Sequence, residues 1–102
     1  MPAVSRAEDV DTITTGHGCD GEAQIRGTLQ TKVFVNGILA SVKVDAIAPH
    51  TILSGDICVP HSSIVNEGSS KVFFGGIAVA RVGDSADAGE IITGSSSVFA
   101  GG

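Results

Sequence analysis

Thr31-Lys32-Val33-Phe34-Val35-Asn36-Gly37 is followed along the chain by Ser70-Lys71-Val72-Phe73-Phe74-Gly75-Gly76 and by Ser96-Ser97-Val98-Phe99-Ala100-Gly101-Gly102. Each copy reads polar residue, Lys or Ser, Val, Phe, apolar residue, Asn or Gly, then Gly. Repetition of this kind marks a fold assembled from equivalent units. Asn-Gly and Gly-Gly tolerate the positive φ that a two-residue type I′ turn demands, so each copy predicts a strand, a tight turn and a second strand. The second strands are related as well: Ile38-Leu39-Ala40-Ser41-Val42-Lys43-Val44-Asp45 follows the first copy and Ile77-Ala78-Val79-Ala80-Arg81-Val82-Gly83-Asp84 the second. The third copy stops at Gly102, and its continuation stands at the other end of the chain as Pro2-Ala3-Val4-Ser5-Arg6-Ala7-Glu8-Asp9. The expected fold is therefore mostly β, a single domain over 1–102 built from three pseudo-threefold hairpins. The third hairpin is completed by both termini, residues 97–101 pairing with residues 2–7, which also fixes chain ends that usually fray.

Val33, Val35, Val72, Phe74, Val98 and Ala100 occupy shared repeat positions and are candidates for the core or for a partner-facing surface. Both faces of these strands carry apolar side chains, so period-two alternation does not choose between the two. With four Phe and neither Trp nor Tyr, the interior must come mainly from Val, Ile, Ala and Leu. A 102-residue chain has little interior, and closure by a metal, a disulfide or a partner is the expectation.

Six Lys and Arg against eleven Asp and Glu give a net charge of −5, which offers no basic footprint for a phosphate backbone and excludes nucleic acid as a partner. No basic start with a following apolar core precedes Glu8 and Asp9, and no long apolar run occurs, so neither a classical leader nor a membrane helix is expected. No helix is predicted. Short strand segments are expected around Ile25 and Ile91.

Connections over about 9–30, 45–69 and 84–95 separate the hairpins, and the two longer ones hold every His and both Cys. Read as irregular loops, connections longer than ~15 residues need an anchor in a small domain. His50, Cys58 and His61 crowd together, with His17 in the equivalent connection upstream. Cys58-Val59-Pro60-His61 is read as a Pro-shaped turn that lets a thiolate and an imidazole face one point. The three imidazoles of His17, His50 and His61 with the Cys58 thiolate would make a closed, tetrahedral, structural zinc site. Other readings stand beside it: Cys19 is a rival ligand to His17, a Cys19–Cys58 disulfide is compatible with the count, and loop histidines are often merely solvated.

An enzyme is not expected, because there is no Gly-x-Ser-x-Gly elbow, Walker motif, dinucleotide fingerprint or calcium loop. Asp45 and Asp84 are expected to cap or solvate turns at the hairpin ends.

The repeats and the His/Cys set together resemble the PAAR-repeat family, especially its small phage-tail members. The family pattern runs roughly Pro-Ala-Ala-Arg-x-Gly-Asp, a His-bearing connection, then Gly-Ser-x-x-Val-x-x-Asn-Gly. The name motif is degraded here to Pro2-Ala3-Val4-Ser5-Arg6, Leu39-Ala40-Ser41-Val42 and Ala78-Val79-Ala80-Arg81, while Asn36-Gly37, Gly68-Ser69, Gly83-Asp84 and Gly94-Ser95 keep the flanking pattern. The resemblance implies a compact cone with one structural zinc per chain near its apex, held by His17, His50, Cys58 and His61. It implies a monomer whose base caps a trimeric β-helical spike at the tip of a contractile phage tail and makes transient contact with the bacterial outer envelope. Val33, Val35, Val72, Phe74, Val98 and Ala100 would then be core or spike-binding, with no small-molecule substrate. The alternatives are a secreted type VI spike tip, with no toxic domain expected after Gly102, and a free-standing β interaction module that needs no metal.

Overall fold

The computed structural model describes residues 1–102, and its regular structure is ten short strands. The first five are β1 (Thr12–Thr14), β2 (Glu22–Gln24), β3 (Phe34–Val35), β4 (Ile38–Leu39) and β5 (His50–Ser54). The rest are β6 (Ile57–His61), β7 (Phe73–Phe74), β8 (Ile77–Ala78), β9 (Ser85–Ala86) and β10 (Gly89–Glu90). Consecutive strands pair antiparallel, giving an all-β domain of short hairpins.

The repeat hairpins form where their turns predict them. β3 and β4 are joined by Asn36 and Gly37 with φ of 56° and 79°, and β7 and β8 by Gly75 and Gly76 at 60° and 79°, the left-handed pair that a type I′ turn needs. In the third copy the termini supply the pairing: Val4 N donates to Val98 O at 2.9 Å, Ala100 N donates to Pro2 O at 3.0 Å, and Ala3 bridges Phe99. The entry to each copy is held alike. Gln30 Oε1 accepts from the Lys32 and Val33 amides, Ser69 Oγ from Lys71 and Val72, and Ser95 Oγ from Ser97 and Val98.

Behind the turns the copies close on one another. Ser5 N donates to Ala80 O (3.0 Å), Ala80 N to Ser41 O (3.0 Å) and Ser41 N to Ser5 O (2.9 Å), a ring of three bonds between three fully buried residues. A second set runs the other way, from Ala7 N to Leu39 O, Lys43 N to Ala78 O and Val82 N to Ala3 O. Such a ring satisfies backbone groups that a single two-residue strand would leave unpaired. Ser5 and Ser41 stand where the second copy has Ala80, and neither hydroxyl finds a hydrogen-bond partner.

The three connections are not the irregular loops that their length suggested. They hold β1–β2, β5–β6 and β9–β10, and they close in a ring of their own through the bridges Ile25 to Ile47, Val65 to Ala86 and Ile91 to Ile13. Those six side chains, with Ala7, Ala23 and Ala80, form the larger core cluster, so apolar packing supplies the anchor. The β5–β6 hairpin turns on Gly55-Asp56, flanked by Ile52-Leu53-Ser54 and Ile57, with Gly55 at φ 63°. The expected strand segments at Ile25 and Ile91 lie in this cluster, both fully buried.

A second cluster consists of Val4, Val35, Ala40, Val79 and Ala100, with Val33, Val72, Phe74 and Val98 half-buried against it. All six shared apolar repeat positions thus pack in or on the core. Alternation sends the intervening Phe34, Phe73 and Phe99 outward, at 58%, 54% and 49% exposure.

Candidate metal centre

Each connection brings a residue to one point. His50 and His61 are paired across β5 and β6 as the first and last residues of that hairpin, which puts both side chains on one face. His17 comes from the loop between β1 and β2, where the Thr15 hydroxyl accepts from the His17 amide and donates to Asp20 O. Gly16, at φ +73°, lets this loop lie against Ala88 so closely that a Cβ there would stand 2.6 Å from the Ala88 carbonyl carbon.

The third connection supplies Asp87, the first turn residue between β9 and β10, at φ 53°. Its amide donates to Ile64 O, its carbonyl accepts from Asn66 Nδ2 at 2.9 Å, and Ala88 N donates to Thr15 O at 3.0 Å, so the turn is held from both neighbouring connections. His17 Nε2 and His61 Nε2 stand 2.8 and 3.2 Å from Asp87 Oδ1, and His50 Nε2 stands 2.7 Å from Oδ2. The imidazoles meet edge to face, with centroids 5.1 and 5.2 Å apart for His17–His61 and His50–His61. The carboxylate is 6% exposed and the His50 side chain 3%, while His17 and His61 reach solvent at 27% and 29%.

Burial pushes the Asp87 carboxyl upward, but the hydrogen bonds from His17, His50 and His61 outweigh it and hold the carboxyl down at about 2. The buried Ser63 hydroxyl lies beside the carboxyl without a hydrogen bond of normal geometry, so the three imidazoles carry the effect. A carboxyl lowered from 3.8 to about 2 stabilises the fold above the unfolded value, and that stability is lost as pH falls through the folded value. In metal-free protein we therefore expect the thermal midpoint to drop between about pH 4 and pH 2, with about 2 kcal/mol at stake. Asp87→Asn should be less stable at neutral pH and nearly flat across that window. A wild-type midpoint that does not move there would refute the assignment.

The donor set suits a cation. His17, His61 and Asp87 present one ligand atom each within 4.8 Å of one another, an arrangement compatible with a structural metal. His50 adds a second argument. Its Nδ1 faces Ala48 O at 2.9 Å while its Nε2 faces Asp87, and a neutral imidazole can donate to only one of these two acceptors. A second ring proton would satisfy both acceptors, and so would a cation shared by Nε2 and the carboxylate, with the other nitrogen donating to a carbonyl as is usual for a ligating imidazole. The residues that would hold zinc are His17, His61 and Asp87, with His50 on the other carboxylate oxygen. When bound, the ion supplies cross-links between all three connections and draws on ligand atoms already converged.

Cys58 is not among them, which corrects the expected ligand set. Residues 57–61 form a regular strand and not a Pro-shaped turn, with Pro60 opposite Thr51. Cys58 and His61 are three residues apart on it, so they point to opposite faces and stand about 10 Å apart along it. Cys58 is disulfide-bonded to Cys19 and offers no thiolate. Asp87 was missed because one carboxylate among eleven carries no spacing signal. The available clue was the repeat itself: if two equivalent connections bring ligands, the third is the place to look for another.

A second candidate surface is the trio Phe34, Phe73 and Phe99, one per copy at the same repeat position. In comparison with known proteins, residues 54–102, just under half of the chain, match the family model of the PAAR motif. No curated protein matches the chain.

Proposed function

We propose that this chain is a spike-tip protein: a monomer that caps and sharpens the trimeric β-helical spike of a contractile phage tail for passage through the bacterial outer envelope. The PAAR-motif fold is used in the spike tips of phage tails and type VI secretion systems, and the match over 54–102 supports that general role. The observation that carries the reading is the closed ring of Ser5, Ala80 and Ser41 backbone bonds, which gives one chain an approximate threefold axis. Around that axis Phe34, Phe73 and Phe99 offer three equivalent exposed aromatic side chains to three identical subunits. Aromatic side chains of this kind anchor protein interfaces. Principal extents of 41 × 23 × 22 Å suit a body that tapers away from such a base.

In this reading the work is mechanical. The imidazoles all turn Nε2 onto one carboxylate, which suits holding a cation and leaves no nucleophile and base paired for turnover. A zinc ion on the cluster would stiffen the part of the molecule that leads.

The test is native mass spectrometry of the purified chain mixed with trimeric β-helical spikes of phage and of type VI origin. One chain per trimer is expected, with affinity reduced at least about a hundredfold by Phe34→Asp, Phe73→Asp and Phe99→Asp together, an effect of the size expected when interface anchors are lost. Capture by type VI spikes alone would move the chain to the secretion system. Binding that ignores the triple substitution, or three chains per trimer, would overturn the proposed base.

A further inference from the structure

The metal cluster and the disulfide are built from the same two pieces of chain. His17 and Cys19 lie two residues apart in the loop between β1 and β2, and His50, His61 and Cys58 lie on the β5–β6 hairpin. Residues 16–20 carry no buried side chain: Gly16, Gly18, Cys19 and Asp20 are exposed and His17 is half-buried. No apolar contact in the core therefore fixes where His17 stands relative to the hairpin. The His17 ring meets that of His61 edge to face and Gly18 lies against Leu53, and two stronger ties join the loop to β5–β6. One is Asp20, whose carboxylate accepts from Thr51 N and Oγ1 at 2.8 Å each and whose amide donates to Thr51 O at 3.1 Å. The other is the Cys19–Cys58 bond, with Cys19 at φ +66°, a conformation that a non-glycine residue rarely adopts unless held.

We propose that the Cys19–Cys58 disulfide is a redox control on metal affinity: oxidised, it holds the His17 loop against the His50–His61 hairpin so that the ligand set is assembled before the ion arrives. This rests on the metal reading of the cluster and adds its regulation. Both cysteines are exposed, so a dithiol reductant reaches them. Its thiolate attacks one sulfur and forms a mixed disulfide, and its second thiol displaces the protein, leaving Cys19 and Cys58 as thiols and the reductant as a cyclic disulfide. Two electrons and two protons have then passed to the protein. The freed Cys58 does not enter the shell, because β6 turns it away from His61. The reduced loop must be ordered at the cost of binding, and affinity falls. A tip of this construction completes its metal site in an oxidising surrounding and loosens it in a reducing one.

The experiment is a zinc competition titration against a chromophoric chelator on the oxidised chain, the chain reduced and then freed of reductant without air, the Cys19→Ser/Cys58→Ser variant and the Cys19→Ser variant. Affinity is expected to fall at least about tenfold in the reduced chain and in the double variant, the size of effect seen when groups that orient metal ligands are removed. Equal affinity in oxidised and reduced chain would overturn the control while leaving the metal site standing. Tighter binding by Cys19→Ser, with its free Cys58, would also overturn it and make the thiolate a ligand that the disulfide blocks. No zinc on the oxidised chain would refute the metal reading and this inference with it. Should the double variant fail to fold, amide exchange of residues 16–20 in the metal-free chain decides. Protection lost on reduction is expected, and unchanged protection overturns the proposal.

Discussion

Gly89→Ala is expected to lower the thermal midpoint by more than about 12 °C, corresponding to roughly 3 kcal/mol in a domain of this size. A Cβ at position 89 would land on the Thr14 carbonyl and hydroxyl oxygens and stand 2.6 Å from the Thr14 carbonyl carbon. Backbone cannot yield as a flexible side chain does. The β9–β10 hairpin would have to move off β1, breaking the bond from Glu90 N to Thr14 Oγ1 (3.0 Å) and that from Ile92 N to Thr12 O (2.9 Å). It would also part Ile13 from Ile91, both fully buried, and take Asp87 away from His17. Gly21 is the control: no atom outside its own neighbourhood lies within 4 Å of a Cβ built there, so Gly21→Ala should change stability by no more than about 0.5 kcal/mol. A Gly89→Ala midpoint within a few degrees of wild type would mean that β10 does not lie on β1 as described.

Arg81→Ala is expected to cost about 3–5 kcal/mol in chemical denaturation, whereas Asp45→Asn, which removes a lone buried charge and loses one amide acceptor, should cost less than about 2 kcal/mol. The three copies hold a carboxylate in the same way. Asp11 Oδ2 accepts from Arg6 N at 2.7 Å, Asp45 Oδ2 from Val42 N at 2.7 Å, and Asp84 Oδ2 from Arg81 N at 2.8 Å. In the second and third copies the donor residue is arginine, and its guanidinium closes a two-pronged pair on the same carboxylate. Arg81 also donates to Gly101 O at 3.0 Å and so anchors the C-terminal segment. Its removal leaves Asp84, 9% exposed at the side chain, without a counter-charge.

The first copy has Val42 in the arginine position, and Asp45 is 1% exposed with no cation beside it. Burial pushes its carboxyl up, only partly opposed by the Val42 and Leu29 amides. A carboxyl raised on folding favours the fold in acid and loses that contribution as pH rises through the folded value. Asparagine removes the charge but keeps an acceptor for only one of the two amides, Leu29 N on Oδ1 or Val42 N on Oδ2, so relief of the buried charge is offset in part and is greatest at neutral pH. Asp45→Asn as damaging as Arg81→Ala would show that the lone charge is needed.

The turns were the most legible part of the chain. Asn36-Gly37 and Gly75-Gly76 state a positive φ in their own composition, and both hairpins form on them. The apolar repeat positions were equally clear, but their surroundings were not. Whether Val35 or Phe34 faces the core depends on which side of the hairpin the other copies occupy, and two-residue strands are too short for alternation to decide. The histidine–aspartate cluster was half legible. His17, His50 and His61 meet, because titratable residues in equivalent connections point to a shared axis. Cys58 does not join them, because a strand in place of a turn reverses the facing of residues three apart.

By itself the sequence determined local geometry: which dipeptides turn, which side chains are apolar and that three units repeat, since each follows from steric and chemical properties of neighbouring residues. The tertiary structure alone decided that backbone bonds close the three copies into a ring, that Cys19 pairs with Cys58, and that Asp87 becomes the carboxylate at the centre of three imidazoles. Asp87 is separated by 70 residues from His17 and by 26 from His61. Contacts over such distances are set by the closure of the three connections on one another, which no local spacing encodes.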